Sequence, residues 1–168
     1  KQTMSTMFTK STRVVILTGA GISAESGIRT FRAADGLWEN HRIEDVATPD
    51  AWKRNPELVW SFYQQRRRQL LEVEPNSGHH ALVDLESYLD HFLLVTQNVD
   101  DLHERAGSSN LIHMHGELAP LRCEACGHVE VMMDDSHLGE NFLTCNQCEA
   151  RMRPHIVWFG EMPMQMPD

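Results

Sequence analysis

Apolar positions along the chain fall into short β-branched runs separated by stretches of helical period. Arg13-Val14-Val15-Ile16-Leu17-Thr18 is such a run and ends at a glycine-rich turn, which predicts a buried parallel strand. Phe92-Leu93-Leu94-Val95-Thr96 repeats the pattern, and Leu111-Ile112-His113-Met114-His115 predicts a short third strand ending at Gly116. The segment from Gly19 to Gly27 is expected to turn into a short helix. Residues 33–50 show neither period and contain Gly36 and Pro49, so a long ordered loop is expected there. A helix then starts with Asn55 as N-cap, Pro56 in the first turn and Glu57 beside the positive helix end. It should run to about Val73, where Pro75-Asn76-Ser77-Gly78 breaks it. A second amphipathic helix turns Leu82, Leu85 and Leu89 inward. The character changes over 117–153, and β-type sequence resumes at His155-Ile156-Val157-Trp158-Phe159.

Length and charge narrow the function classes. A chain of 168 residues buries one ordinary core with a small satellite module. The formal net charge of -9 argues against a phosphate-backbone binder, and Arg66-Arg67-Arg68 is too short a cluster to steer nucleic acid. No apolar run approaches a membrane span, and Lys1-Gln2-Thr3-Met4-Ser5 does not open a secretory signal. A cytoplasmic setting is therefore expected, with no membrane and no specific nucleic acid as partner.

All four cysteines lie between 123 and 148, as Cys123-x-x-Cys126 and Cys145-x-x-Cys148 with 18 residues between the pairs. Without a secretory signal this spacing points to one zinc ion in a ribbon-like module rather than to disulfides. Four thiolates leave no open position, so the ion should be structural; His128 and His137 could compete as ligands but are not needed.

Gly19-Ala20-Gly21-Ile22-Ser23-Ala24 fits G-x-G-x-x-(G/A) directly after a strand, where glycines let backbone approach a pyrophosphate. A glycine turn in any α/β protein gives the same letters. The acidic residue expected about 20 residues on, after a second strand, is missing: Glu39 and Glu44 sit in the irregular stretch. That argues against hydride transfer and favours a fold in which a loop covers the cofactor. Gln97, Asn98 and Asp100 follow one predicted strand and His115 ends another, so an amide/carboxylate set and an imidazole join the glycine turn at one sheet edge. A histidine with an ordinary pKa of about 6.5 can act as general base at neutral pH; His103 and His113 are the structural alternatives. On the helix from Pro56, Val59, Phe62, Tyr63, Arg66 and Leu70 share one face. Tyr63 and Arg66 could together grip a carboxylate. Alternatively Arg66 snorkels outward or pairs with an internal acid.

Together these stretches resemble the sirtuins, NAD-dependent protein lysine deacylases. The resemblance rests on residues 19–28 with Thr30-Phe31-Arg32, on Thr96-Gln97-Asn98-Val99-Asp100 with Leu102-His103, and on His115-Gly116. The cysteine pairs and Arg153-Pro154-His155-Ile156-Val157-Trp158-Phe159-Gly160-Glu161 complete it. It implies an α/β fold with a Rossmann-like parallel sheet flanked by helices on both faces. Its first part would be 13–116, with an inserted zinc-ribbon module at 117–153 and a return at 154–168. The family continues past Glu161 with further strands, so the C-terminal part of the sheet would lie beyond this chain, leaving Val14–Leu17, Phe92–Val95 and Ile156–Phe159 with exposed apolar faces.

The same resemblance implies roles. NAD would be held by Gly19, Ala20, Gly21, Ile22, Ala24, Glu25, Thr30, Phe31, Arg32, Trp38, Gln97, Asn98, Val99, Asp100 and His115. His115 and Asn98 would be catalytic, with His115 deprotonating a ribose hydroxyl. The products would be free lysine, nicotinamide and O-acyl-ADP-ribose. Acetyl- or succinyl-lysine protein substrates would bind as an extended peptide along Val157, Phe159, Gly160 and Glu161. Tyr63-x-x-Arg66 resembles the bacterial subgroup that also removes succinyl and malonyl groups, with Ala47 making room for the longer acyl chain. Mono-ADP-ribosyl transfer and a non-catalytic zinc-ribbon interaction module are the competing readings.

Overall fold

β-Branched side chains pack well on a pleated surface, and Arg13–Thr18 forms the first strand, β1, on that basis. In the computed structural model, residues 9–29 and 37–164 are described. β1 pairs in parallel with β4 (His91–Thr96), which pairs in parallel with β5 (Leu111–His113), giving a three-stranded sheet in the order β1-β4-β5. Leu89, Phe92 and Leu94 are buried here, with Val14, Ile16, Leu82, Leu85 and Leu111 against them. Only one face of β1 is covered among the described residues: Val15 and Leu17 are 67% and 60% exposed. The expected burial of the whole run is corrected accordingly, while the exposed apolar face that the resemblance implied for Val14–Leu17 is observed at Val15 and Leu17, because alternate side chains of a strand point to opposite faces.

Between β1 and β4 the structure corrects the expected loop over 33–50. β2 (Leu37–Trp38) and β3 (His41–Arg42) form a small antiparallel hairpin, followed by α1 (Ile43–Val46) and α2 (Pro49–Arg54). Thr48 caps α2 by accepting a hydrogen bond from Ala51 N at 3.0 Å, with Pro49 at the first position. α3 runs Pro56–Leu70, capped by Asn55 Oδ1 on Leu58 N, and ends three residues before the expected Val73. α4 (Ser77–Tyr88) is capped by Asn76, whose backbone N–H donates to His79 Nδ1. The expected helix after Gly19 is only a 3-10 turn at Ala24–Ser26. α5 is Leu102–Ala106. No helix among the described residues is long and apolar enough to cross a membrane.

The larger core lies elsewhere, where α1, α2 and α3 meet a second, antiparallel sheet. That sheet is β6 (Gly116–Cys123) between β7 (Val129–Val131) and β8 (Met152–Ile156). Trp52, Trp60, Phe62, Tyr63, Leu121, Met152 and Trp158 are buried together there. Arg67 is the fastener. It is fully buried and donates to Leu118 O at 3.1 Å, Ala119 O at 3.2 Å, Gln64 Oε1 at 2.6 Å and Met132 O. Burial pulls its pKa down to about 10, so it stays charged at neutral pH. Replacing it strands several buried acceptors at once. Arg67→Met should therefore lose about 3 kcal/mol of stability, measured as a lowered midpoint in urea unfolding; an unchanged midpoint would show that these bonds are solvated in solution.

Candidate active site

Parallel register decides what the sheet presents. Thr18 lies opposite Thr96, and Thr96 opposite His113, so all three strands end at one level. Gln97 N donates to Thr18 O at 2.9 Å and Met114 N to Thr96 O at 3.0 Å, pinning the chain as it leaves each strand. The glycine turn, the Gln97–Asp100 segment and Met114–His115 therefore emerge side by side. His115 sits just beyond β5 rather than at its end, a correction to the expected strand; the turn into Gly116 takes it out of the pleat.

At the glycine turn, the amides of Ile22 and Ala24 close onto Gly19 O and Gly21 O. Those of Ala20 and Gly21 make no hydrogen bond among the described residues. A Cβ built at Gly21 would meet nothing within 4 Å among the described residues, so the turn carries no side-chain bulk there against the approach of a pyrophosphate. Asn76 Nδ2 holds the turn from beneath, donating to Ile22 O at 2.7 Å and Ser26 Oγ at 2.9 Å.

Behind the turn, Ser23 is buried and bridges two candidate residues. Its Oγ donates to Asp100 Oδ2 at 2.9 Å and accepts from Asn98 Nδ2 at 3.0 Å. Burial pushes the Asp100 carboxyl up, opposed by Ser23 and by the Leu102 amide. His115 Nδ1 lies 3.0 Å from Gln97 O. A carbonyl only accepts, so Nδ1 carries the proton and Nε2 keeps a lone pair.

The cysteines converge as the spacing predicts. Their four Sγ atoms lie within 4.8 Å of one another, Cys123 to Cys148 at 3.5 Å and Cys126 to Cys145 at 3.7 Å. Tetrahedral zinc with bonds near 2.3 Å would space its sulfurs by roughly 3.8 Å. Amides of Ala125 and Cys126 point at Cys123 Sγ, and Gln147 N at Cys145 Sγ, as thiolates require. The set fits the metal.

Tyr63 is fully buried and its Oη accepts from Trp158 Nε1 at 3.0 Å, leaving its own proton to give; burial pushes its pKa up. Arg66 stacks on Phe62 at 4.4 Å, and its buried Nε and Nη1 have no partner among the described residues. Burial lowers its pKa, with Glu39 opposing, although Glu39 makes its ion pair with Arg29 at 3.9 Å.

Comparison with known proteins then decides the lineage. The model for the Sir2 family matches residues 19–167. An NAD-dependent protein deacylase from Shigella flexneri is 60% identical over 159 residues, 93% of this chain and 58% of that protein. The chain belongs to the Sir2 family. A crystal structure of a Sir2 homologue–NAD complex superposes with a TM-score of 0.78 at 45% identity, covering 89% of this chain and 58% of that one. A Sir2–p53 peptide–NAD+ structure gives 0.73 at 31% identity, covering 93% and 63%. This Sir2 chain therefore spans about 58% of the length of the curated Shigella relative.

Other candidate residues of the Sir2 chain are placed as follows. Trp38 packs edge-on against Phe62 and Tyr63. Ala47 is buried, and its carbonyl accepts from Phe159 N at 3.0 Å. Val157 N donates to His115 O at 2.8 Å. The Glu161 carboxylate is committed to both terminal nitrogens of Arg153 and to Trp158 N. Glu25 is exposed on the 3-10 turn, while Gln97 and Val99 lie on the segment after β4. Thr30, Phe31 and Arg32 lie outside the described residues. Ser23 was not singled out by sequence reasoning, although it stands inside the glycine motif. Ser23→Ala should raise the Asp100 titration further, because it removes the hydrogen bond that favours the carboxylate. A carboxyl carbon NMR titration with an unchanged midpoint would disprove this assignment.

Proposed function

We propose that the protein of which this chain is part is an NAD-dependent protein lysine deacylase, acting on acetyl-lysine and on succinyl- or malonyl-lysine. The observation that carries the reading is the meeting of the glycine turn, the Ser23-linked Asn98 and Asp100, and a His115 whose Nδ1 faces Gln97 O and whose Nε2 is not engaged among the described residues. NAD supplies a cleavable bond between nicotinamide and ribose. Asn98 and Asp100 orient the ribose and carboxamide, Gln97 steadies the ribose, and the Ala20 and Gly21 amides meet the diphosphate. His115 Nε2 takes a ribose hydroxyl proton, with Gln97 O fixing the tautomer through Nδ1. The acyl oxygen of the substrate would bond to the ribose carbon as nicotinamide leaves, the deprotonated hydroxyl would then attack the acyl carbon, and one water would complete release of free lysine and O-acyl-ADP-ribose. The expected strand over 155–159 is corrected, since β8 ends at Ile156 and the Val157 and Phe159 amides are spent on His115 O and Ala47 O; Val157–Glu161 would line the path of the extended substrate peptide rather than offer it a free strand edge.

The acidic-acyl reading rests on unspent hydrogen-bonding capacity. Tyr63 retains its hydroxyl proton and, among the described residues, Arg66 has two buried nitrogens without a partner. Buried guanidinium N–H groups of that kind are costly until an anion arrives. With the full-length protein, Arg66→Met should lower kcat/KM on succinyl-lysine peptide roughly a hundredfold while changing deacetylation by less than about threefold. Equal losses on both peptides would sink the carboxylate grip. NAD consumption with transfer of ADP-ribose to protein and no freed lysine would favour mono-ADP-ribosyl transfer, and no nicotinamide release at all would favour a binding module.

Zinc in the cysteine cluster is a brace and not a reactant. One zinc per chain is expected by elemental analysis. Chelation should lower the melting temperature and disturb the tryptophan signal, because Trp52 Nε1 donates to Glu124 beside Cys123. A metal-free protein of unchanged stability would overturn the brace.

A further inference from the structure

His113 has no part in the mechanism above, yet its ring is held between two acceptors. Nδ1 is 2.9 Å from Asn98 O and Nε2 is 2.6 Å from Glu104 Oε1. A carbonyl oxygen and a carboxylate oxygen can only accept. Neutral imidazole has one N–H, so it satisfies one of them and turns a lone pair on the other. Imidazolium satisfies both. The side chain is 9% exposed, which leaves little room for water to stand in.

The other side of Asn98 is held from the same helix. Asn98 N donates to Thr96 Oγ1 at 3.0 Å, Thr18 Oγ1 donates to Thr96 Oγ1 at 2.9 Å, and Thr18 Oγ1 lies 3.0 Å from His103 Nε2. His103 and Glu104 are neighbours on α5. That short helix thus reaches the Asn98 amide through two threonines and the Asn98 carbonyl through His113.

We propose, building on the deacylase reading, that His113 is a positioning residue that sets Asn98 for NAD only while both ring nitrogens are protonated, so that loss of one proton limits the enzyme at high pH. The groups facing His113 are Glu104 and His103 of α5, Asp100 of the segment after β4, and Glu117 of β6. Burial pushes His103 down to about 4, which keeps it neutral. Burial also opposes charge on His113, but the hydrogen bond and charge of Glu104, the Asn98 carbonyl and Glu117 prevail and raise its pKa. Glu104 is correspondingly lowered by His113 against its own burial, so it is the carboxylate that faces the ring. With a raised pKa, the doubly protonated form is complete at acidic pH and is lost as pH rises through the folded value.

The test compares wild type with Glu104→Gln in the full-length protein. Glutamine can donate its amide N–H to Nε2 of a neutral His113 while Nδ1–H still serves Asn98, so both bonds survive without a charge. In wild type, kcat/KM for NAD should fall about tenfold across the alkaline limb, the worth of one well-placed hydrogen bond, with most of the change in KM for NAD. In Glu104→Gln the alkaline limb should vanish and the acid limb remain. The Asn98 backbone amide resonance should follow the His113 imidazole titration in wild type and stay flat in the variant. An alkaline limb that persists unchanged in Glu104→Gln, or an Asn98 amide indifferent to His113, overturns the proposal. If wild type releases no nicotinamide at any pH, the deacylase reading fails by itself, and the Asn98 titration in the two proteins still decides whether His113 positions this residue.

Discussion

Everything at the candidate site depends on the parallel pairing of β1, β4 and β5. Parallel strands place like ends together, and here the register is tight enough that Thr18, Thr96 and His113 stand in one row. A glycine turn, an amide beside a carboxylate, and an imidazole are far apart in the chain, yet they share one edge because the ladder leaves no slack. A one-residue slip of β4 would carry Asn98 to the opposite face. The buried Thr18–Thr96 hydrogen bond adds a side-chain latch where such a slip would be most damaging.

The second constraint is mechanical. The antiparallel sheet that carries the cysteines has few large apolar residues of its own, and it borrows its core from α2 and α3. Arg67 joins the two by spending its guanidinium on backbone carbonyls rather than on a carboxylate. Buried carbonyls need donors, and no short side chain on the sheet could reach so many of them. Tyr63 does similar double service: it packs among aromatic rings, takes the Trp158 N–H, and still has a proton to offer.

Much of this was legible in the residues. β-Branched runs identified the parallel strands, Asn55-Pro56 marked the start of α3, and cysteine spacing brought four sulfurs together, because each signal is local and has a direct physical cause. What was not legible was either very short or decided by distant partners. The hairpin and two small helices within 37–54 have too few residues for a period to show. Arg66 and Arg67 are adjacent in a row of three arginines, and sequence alone singled out Arg66; only the position of β6 shows that Arg67 is the fully buried one. Ser23 and His113 owe their importance to partners 75 and 15 positions away. No motif reports that Asn98 is held at both backbone ends.

Gly116 joins the two halves of the molecule. Its φ is +77°, and a Cβ there would fall 2.1 Å from His155 O, so only glycine lets β6 pass β8 at this point. Just before it, His115 O accepts Val157 N. The imidazole and the start of the segment after β8 are thus parts of one stiff knuckle. That knuckle is also tied back to the parallel sheet, through Met114 N on Thr96 O, His115 Nδ1 on Gln97 O and Leu118 N on Val99 O. The place of the imidazole beside the glycine turn is therefore fixed from two sheets at once, and a shift of either is felt at the same ring.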